Sequence, residues 1–173
     1  MTDKKESILA TALELFANEG YNAVPTSKIA RQAGVSEGLI FRHFENKRGL
    51  LDAIMADAEQ RIAQVLAPVV FEADPARTIQ KFIELPFSIH PDTYDFWRLQ
   101  FKLKWEHEFY NPKKMQPLID KLTWAFGELG YPDPQTEARL LDQLVEAVSI
   151  GILREGREKQ MPLLQLLLTK YKV

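Results

Sequence analysis

Between Ile29 and Lys47 the chain reads IARQAGVSEGLIFRHFENK, and the side chains crowd chemistry into its second half. A carboxylate (Glu37), an aromatic ring (Phe41), a guanidinium (Arg42), an imidazole (His43) and an ammonium (Lys47) follow in quick succession. Such a set can accept from amino groups, donate to anions and stack on flat surfaces. It makes contacts rather than bonds. The rest of the chain supports no covalent chemistry either. It has three histidines, His43, His90 and His107, and no HExxH, phosphate loop, dinucleotide-binding glycine turn or Gly-x-Ser-x-Gly. The chain is therefore expected not to be an enzyme and to need no cofactor or metal.

The helices that must carry these groups are legible from their punctuation. Ile8, Leu9, Ala12, Leu13 and Phe16 share one face of a first helix that stops at Gly20. A short second helix is predicted from Thr26, as its N-cap, to Gly34. Ser36 can cap a third over Glu37 to His43, and a fourth starts near Asn46 and runs to about Leu66. Ile40 and Phe44 lie four residues apart on one side of the third helix. Ala30, Ala33 and Gly34 are small where two helices must cross, and Gly34 permits the positive φ that turns the chain. The result is a helix-turn-helix with Glu37, Gly38, Phe41, Arg42 and His43 facing outward. That geometry suits insertion into a DNA major groove. An ordinary helical hairpin with a polar outer face remains the alternative on these grounds alone.

Further along, Asp74-Pro75, Asn111-Pro112 and Asp133-Pro134 each set a capping residue before a proline at the first helical position. Pro162 is expected to open the last helix, and Pro86 and Pro91 to interrupt or end the one begun at Asp74. No alternating β-branched run appears. The chain is predicted to be all-α, with about nine helices.

Composition narrows the partners and the compartment. Of 173 residues, 46% are hydrophobic and 27% charged, enough for a sizeable core, and the net charge is −2. Residues 1–50 hold seven Lys/Arg against six Asp/Glu. Any phosphate contact in this region must therefore come from placed charges, not from a basic field. Absence of cysteine excludes disulfides and thiolate chemistry. No window approaches the roughly 18 apolar residues that span a bilayer. A cytoplasmic protein is expected.

The stretch TSKIARQAGVSEGLIFRHFENKRGLL resembles, almost position by position, the DNA-binding signature of tetracycline-repressor (TetR) family regulators, over about residues 7–55. The match includes Phe16, Gly20, Thr26, Ala33-Gly34-Val35-Ser36, Gly38, the aromatic-x-His-Phe run at 41–44, Lys47 and Leu50-Leu51. The resemblance implies a helix-turn-helix DNA-binding domain over 1–48 and a helical effector-binding and dimerisation domain over 49–173. It implies phosphate contacts by Thr26, His43 and Lys47. Lys47 also has a physical case, since it opens a helix whose positive end favours anions. Arg42 is placed for phosphate or base, and base reading would fall to Glu37, Gly38 and Phe41. Two departures stand out. The family most often has Tyr where this chain has Phe41, and often Thr where it has Leu39.

In the larger part, Tyr94, Trp97, Phe101, Trp105 and Phe109 are spaced as one aromatic stripe of a helix, with Phe96, Leu99 and Leu103 as a second apolar side. Core packing can use such a helix. The resemblance implies instead an apolar effector cavity, for which the candidates are Trp97, Phe101, Trp105 and Trp124 with His90 or His107 as polar partners. Leu141, Leu144, Val145, Val148 and Ile152, followed by the leucines Leu163, Leu164 and Leu167, are expected to form a homodimer interface, or else to dock on the chain's own core. The function implied is a ligand-responsive homodimeric transcriptional regulator, a repressor. It would bind a palindromic operator through the major groove and be released or re-spaced by a small apolar effector. The alternatives are a TetR-like fold used as a protein-interaction or non-regulatory DNA-binding module, or as a ligand carrier.

Overall fold

The computed structural model describes residues 2–106, 108–109 and 115–173, which form nine α-helices and one 3-10 turn with no strand among them. In chain order the helices are α1 (Thr2–Glu19), α2 (Thr26–Gln32), α3 (Glu37–Phe44), α4 (Lys47–Val70) and α5 (Pro75–Ser88). After the 3-10 turn Pro91–Thr93 come α6 (Tyr94–Lys104), α7 (Gln116–Glu128), α8 (Pro134–Glu155) and α9 (Arg157–Tyr171). Two compact units result, residues 1–62 with 92–110, and residues 63–91 with 111–173.

Local chemistry sets many of these boundaries. Asp74 accepts from the Arg77 N–H at 2.8 Å and Asp133 from the Thr136 N–H at 3.1 Å, each ahead of a proline that has no N–H to satisfy. Asn46 caps α4 by accepting from the Gly49 N–H at 2.9 Å. At the other end of the second helix, the Val35 N–H reaches the Ala30 carbonyl at 3.0 Å and the Gly34 N–H reaches that of Arg31 at 3.4 Å. Those two bonds form a Schellman motif, and Gly34 supplies the positive φ of 67° that it needs.

Several expected boundaries differ. Thr26 is the first residue of α2 rather than its cap. Pro25 holds the cap position, and the Thr26 hydroxyl bonds elsewhere. Ser36 does occupy the N-cap of α3, but its side chain makes no capping bond. Helix α4 runs past Leu66 to Val70, and α5 continues through Pro86 to Ser88. Pro162 lies inside α9, which starts at Arg157 directly after the positive-φ residue Gly156 ends α8. The Asn111-Pro112 start falls outside the described residues.

The first unit is built on Ile8, Ala12 and Phe16 from α1, Ile29 and Ala30 from α2, Ile40 and Phe44 from α3, and Leu50, Leu51 and Ile54 from α4. Helix α6 closes this core with Leu99 and Leu103 and packs along α1. The apolar side of α6 that goes inward is thus Phe96, Leu99 and Leu103, not the longer aromatic stripe. Trp105, the C-cap just past the end of α6 at Lys104, is 84% exposed. In the second unit α5, α7, α8 and α9 pack around Phe82, Leu122, Phe126, Leu141, Val145, Val148 and Leu167. Among the described residues no helix is long and apolar enough to cross a membrane.

Candidate nucleic-acid interface

Ile40 and Phe44, fully or nearly buried, pin one side of α3 to the first unit's core. Gly38, Phe41 and Arg42 sit three and four residues apart on the opposite side and are exposed. A Cβ added at Gly38 would meet no atom within 4 Å, so packing inside the chain does not call for a glycine there. Glu37 and His43 are half-buried at the margins of this face, and the His43 ring lies beside that of Phe44.

Two further residues of the motif are held by partners that sequence spacing did not reveal. The Thr26 hydroxyl donates to Glu37 Oε1 at 2.5 Å, joining the start of α2 to the start of α3. Lys47, the first residue of α4, lays its Nζ 4.4 Å from the centroid of the Tyr21 ring and donates to the Asn22 carbonyl at 3.4 Å. Partial burial lowers its pKa from the ordinary lysine value. Its charge faces aromatic surface rather than a carboxylate and stays available to an anion. Lys28, by contrast, is paired with Glu19 at 2.5 Å.

A clasp on the same unit holds the α1–α2 turn. Lys102 donates to the Asn18 carbonyl at 2.7 Å, and Asn22 Nδ2 donates to Glu106 Oε2 at 3.1 Å. Phe109 meets the edge of Tyr21 at 5.5 Å between centroids. Arg48 covers the Phe109 ring at 4.5 Å while pairing with Asp52 and Glu108. Burial raises the Tyr21 hydroxyl pKa, partly offset by the Arg48 charge. Tyr21, Arg48 and Gly49 were all missed by sequence reasoning. Gly49 alone left a signal, because a glycine in the first turn of a long helix costs stability unless something needs its bare backbone. Here the need is clear: a Cβ at Gly49 would lie 2.1 Å from the Phe44 carbonyl oxygen.

The residues expected to line a cavity are divided between the two units. Trp97 and Phe101 are half-buried on α6 in the first unit. In the second unit His90 is exposed, and Trp124 is 37% exposed with Lys121 Nζ 3.7 Å above its ring. His107 lies outside the described residues. An open groove of about 410 Å³ in the second unit is lined by Leu129, Tyr131, Pro132, Tyr171 and neighbours. Of the expected interface residues, Leu141, Val145, Val148, Ile152 and Leu167 are buried within their own unit. Leu144 and Leu164 keep part of their surface, and Leu163 is 43% exposed. Among the described residues no cluster of three or more His, Asp or Glu is placed to hold a metal ion.

Comparison with known proteins agrees with this geometry. Residues 8–54 match the family model described as bacterial regulatory proteins, tetR family. Tetracycline repressor protein class C of Escherichia coli is 39% identical over 51 residues, 30% of this chain and 23% of that protein. The chain spans well under half the length of such curated relatives, at 35%, 18% and 23% for three of them. Solved structures share the fold over nearly the whole chain. A TetR-like transcriptional regulator from Rhodococcus sp. RHA1 has a TM-score of 0.77 at 18% identity, covering 95% of this chain and 92% of that one. The transcriptional regulator FadR from Bacillus subtilis, in complex with stearoyl-CoA, has a TM-score of 0.67 at 19% identity, with 96% of each chain covered. Residues 8–54 thus carry the DNA-binding module of the tetR family of bacterial regulatory proteins, in a chain whose all-helical fold is shared with solved regulators of that kind.

Proposed function

We propose that the chain is a ligand-responsive homodimeric transcriptional repressor that reads a palindromic operator through the major groove. The observation that carries this reading is the face of α3, where Gly38, Phe41 and Arg42 stand exposed while Ile40 and Phe44 anchor the helix from behind. A groove about 12 Å wide admits such a helix, and the missing side chain at 38 lets the backbone come close. Arg42, His43, Lys47 and Thr26 serve phosphates. Glu37 accepts from a cytosine amino group, and the Phe41 ring offers a surface to a thymine methyl.

DNA contact is assigned to residues 1–48, and effector binding and pairing to 49–173. A dimer would draw on the apolar surface that α8 and α9 leave uncovered: Leu144, Leu163 and Leu164, with Leu140 and Leu166 at 40% and 61% exposure. Two-fold pairing sets two reading heads a helical turn apart, which is what makes a palindrome the matching site. The effector is taken to be small and apolar, with Trp97 and Phe101 as wall candidates; the Bacillus subtilis fold-mate holds stearoyl-CoA, whose acyl chain is apolar although its CoA moiety is charged. Such a ligand acts by binding one spacing of the heads better than another.

The test is selection of binding sites from a random duplex library by wild type and by a Lys47→Ala, His43→Ala double variant. A palindrome enriched by wild type alone, with affinity falling steeply as salt rises, supports the reading. No enrichment, with or without added metabolites, would sink it.

A further inference from the structure

The Thr26–Glu37 hydrogen bond, 2.5 Å long and half-buried, joins the residue assigned to a phosphate with the residue assigned to a base. A threonine hydroxyl has one proton to give. While Glu37 holds that proton, Thr26 can offer a phosphate only lone pairs, and a phosphate oxygen is itself an acceptor. A carboxylate this near would also repel the phosphate charge. Lys28, two residues beyond Thr26, is committed to Glu19. The phosphate contact of Thr26 therefore waits on Glu37 letting the hydroxyl go.

We propose that this bond couples backbone anchoring to base choice: Glu37 releases Thr26 to a phosphate only where an exocyclic amino group in the groove, cytosine N4 or adenine N6, takes the carboxylate in exchange. The inference rests on the DNA-binding reading above. No proton changes owner in the exchange; one intramolecular hydrogen bond is replaced by two to DNA. Where no amino group stands opposite Glu37, the carboxylate stays on Thr26 and both contacts are forgone. A simple phosphate contact, in contrast, strengthens binding equally on every sequence. Thr26 becomes a specificity-determining residue without touching a base.

The experiment uses the full chain and the duplex it selects. Dissociation constants are measured for wild type, Thr26→Val, Thr26→Ser, Glu37→Ala and the Thr26→Val, Glu37→Ala double variant. Each protein is tested on that duplex and on versions with each half-site base pair replaced in turn. With Glu37 present, Thr26→Val should cost about tenfold on the selected duplex and little where the base pair opposite Glu37 is replaced. With Glu37→Ala, the same substitution should cost the same factor on every duplex. Thr26→Ser, which keeps the hydroxyl, should restore the wild-type pattern and shows that loss in the valine variant is not misfolding. A uniform cost of Thr26→Val on all duplexes while Glu37 is present overturns the proposal and leaves the DNA-binding reading standing. So does a Glu37→Ala variant that keeps every base preference. Failure of wild type to select any duplex removes the DNA-binding reading, and this proposal with it.

Discussion

The ammonium of Lys47 rests 4.4 Å from the ring centroid of Tyr21 and 5.9 Å from that of Phe16. Tyr21 is itself wedged edge-on between Phe16 and Phe109. The lysine that opens α4 is thus held by π-faces, which attract a cation without neutralising it. An exposed contact of this type contributes about 0.5–1 kcal/mol, enough to bias the rotamers of a long side chain.

Removing that platform should separate two effects. Tyr21→Ala is expected to destabilise the fold by about 2 kcal/mol through lost aromatic packing and to weaken DNA binding several-fold by freeing Lys47. Tyr21→Phe keeps the ring and should leave both close to wild type. Thermal denaturation and titration of a selected duplex read the two quantities, and a Phe variant as weak as the Ala variant would count against the platform.

Gly49 and Gly151 should answer alanine in different ways. At Gly49 the new Cβ meets a backbone oxygen, Phe44 O, at 2.1 Å, so the α3–α4 corner itself must move. At Gly151 it meets the side-chain end of Gln160 at 2.6 Å, which can rotate away. Alanine also favours a helix by about 1 kcal/mol over glycine. We expect Gly49→Ala to cost about 2 kcal/mol or more and to abolish DNA binding, and Gly151→Ala to fall within about 1 kcal/mol of wild type. Urea denaturation of both variants decides it.

Acid should unfold the second unit partly through Glu72. Its carboxylate pairs with Lys81 and accepts from the N–H groups of Ala73 and Asp74 at 2.9 and 3.1 Å. The Lys81 ammonium first, then these backbone donors, hold its pKa at about 2 against 4.5 in the open chain. A depressed native pKa means stability that is fully present above pH 4.5 and drains away as pH falls towards 2. Glu72→Gln should lower Tm at neutral pH and flatten its decline between pH 4.5 and 2. Parallel Tm–pH curves for the two proteins would show that Glu72 has no such role.

Pairing of two chains, if it uses the uncovered leucines, should be sensitive to charge there. Leu163→Glu with Leu166→Glu places carboxylates at positions already 43% and 61% exposed, so the monomer fold should survive. Sedimentation should show the variant as a monomer at concentrations where wild type pairs, and operator affinity should fall at least about tenfold as avidity is lost. A variant that still sediments with wild type would move the interface elsewhere.

What the sequence determined was whatever a few neighbouring residues settle among themselves. Asp74 and Asp133 cap their helices because a carboxylate reaches an N–H three residues on. Gly34 turns the chain because only a residue without Cβ takes φ 67° freely. The spacing of Ile40 and Phe44 assigned α3 an inner side, and so exposed Gly38, Phe41 and Arg42. Tertiary structure decided what depended on partners far along the chain. Helix α6 carries two apolar sides of similar strength, and periodicity cannot say which turns inward; packing on α1 chose Phe96, Leu99 and Leu103. From sequence, Leu141, Val145 and Val148 could serve a second subunit or the chain's own core, and α5, α7 and α9 bury them. Thr26 read as a cap until α3 brought Glu37 within 2.5 Å. Short-range bonds are fixed by identity and spacing, whereas burial and long-range pairing follow from which surfaces the whole chain sets against each other.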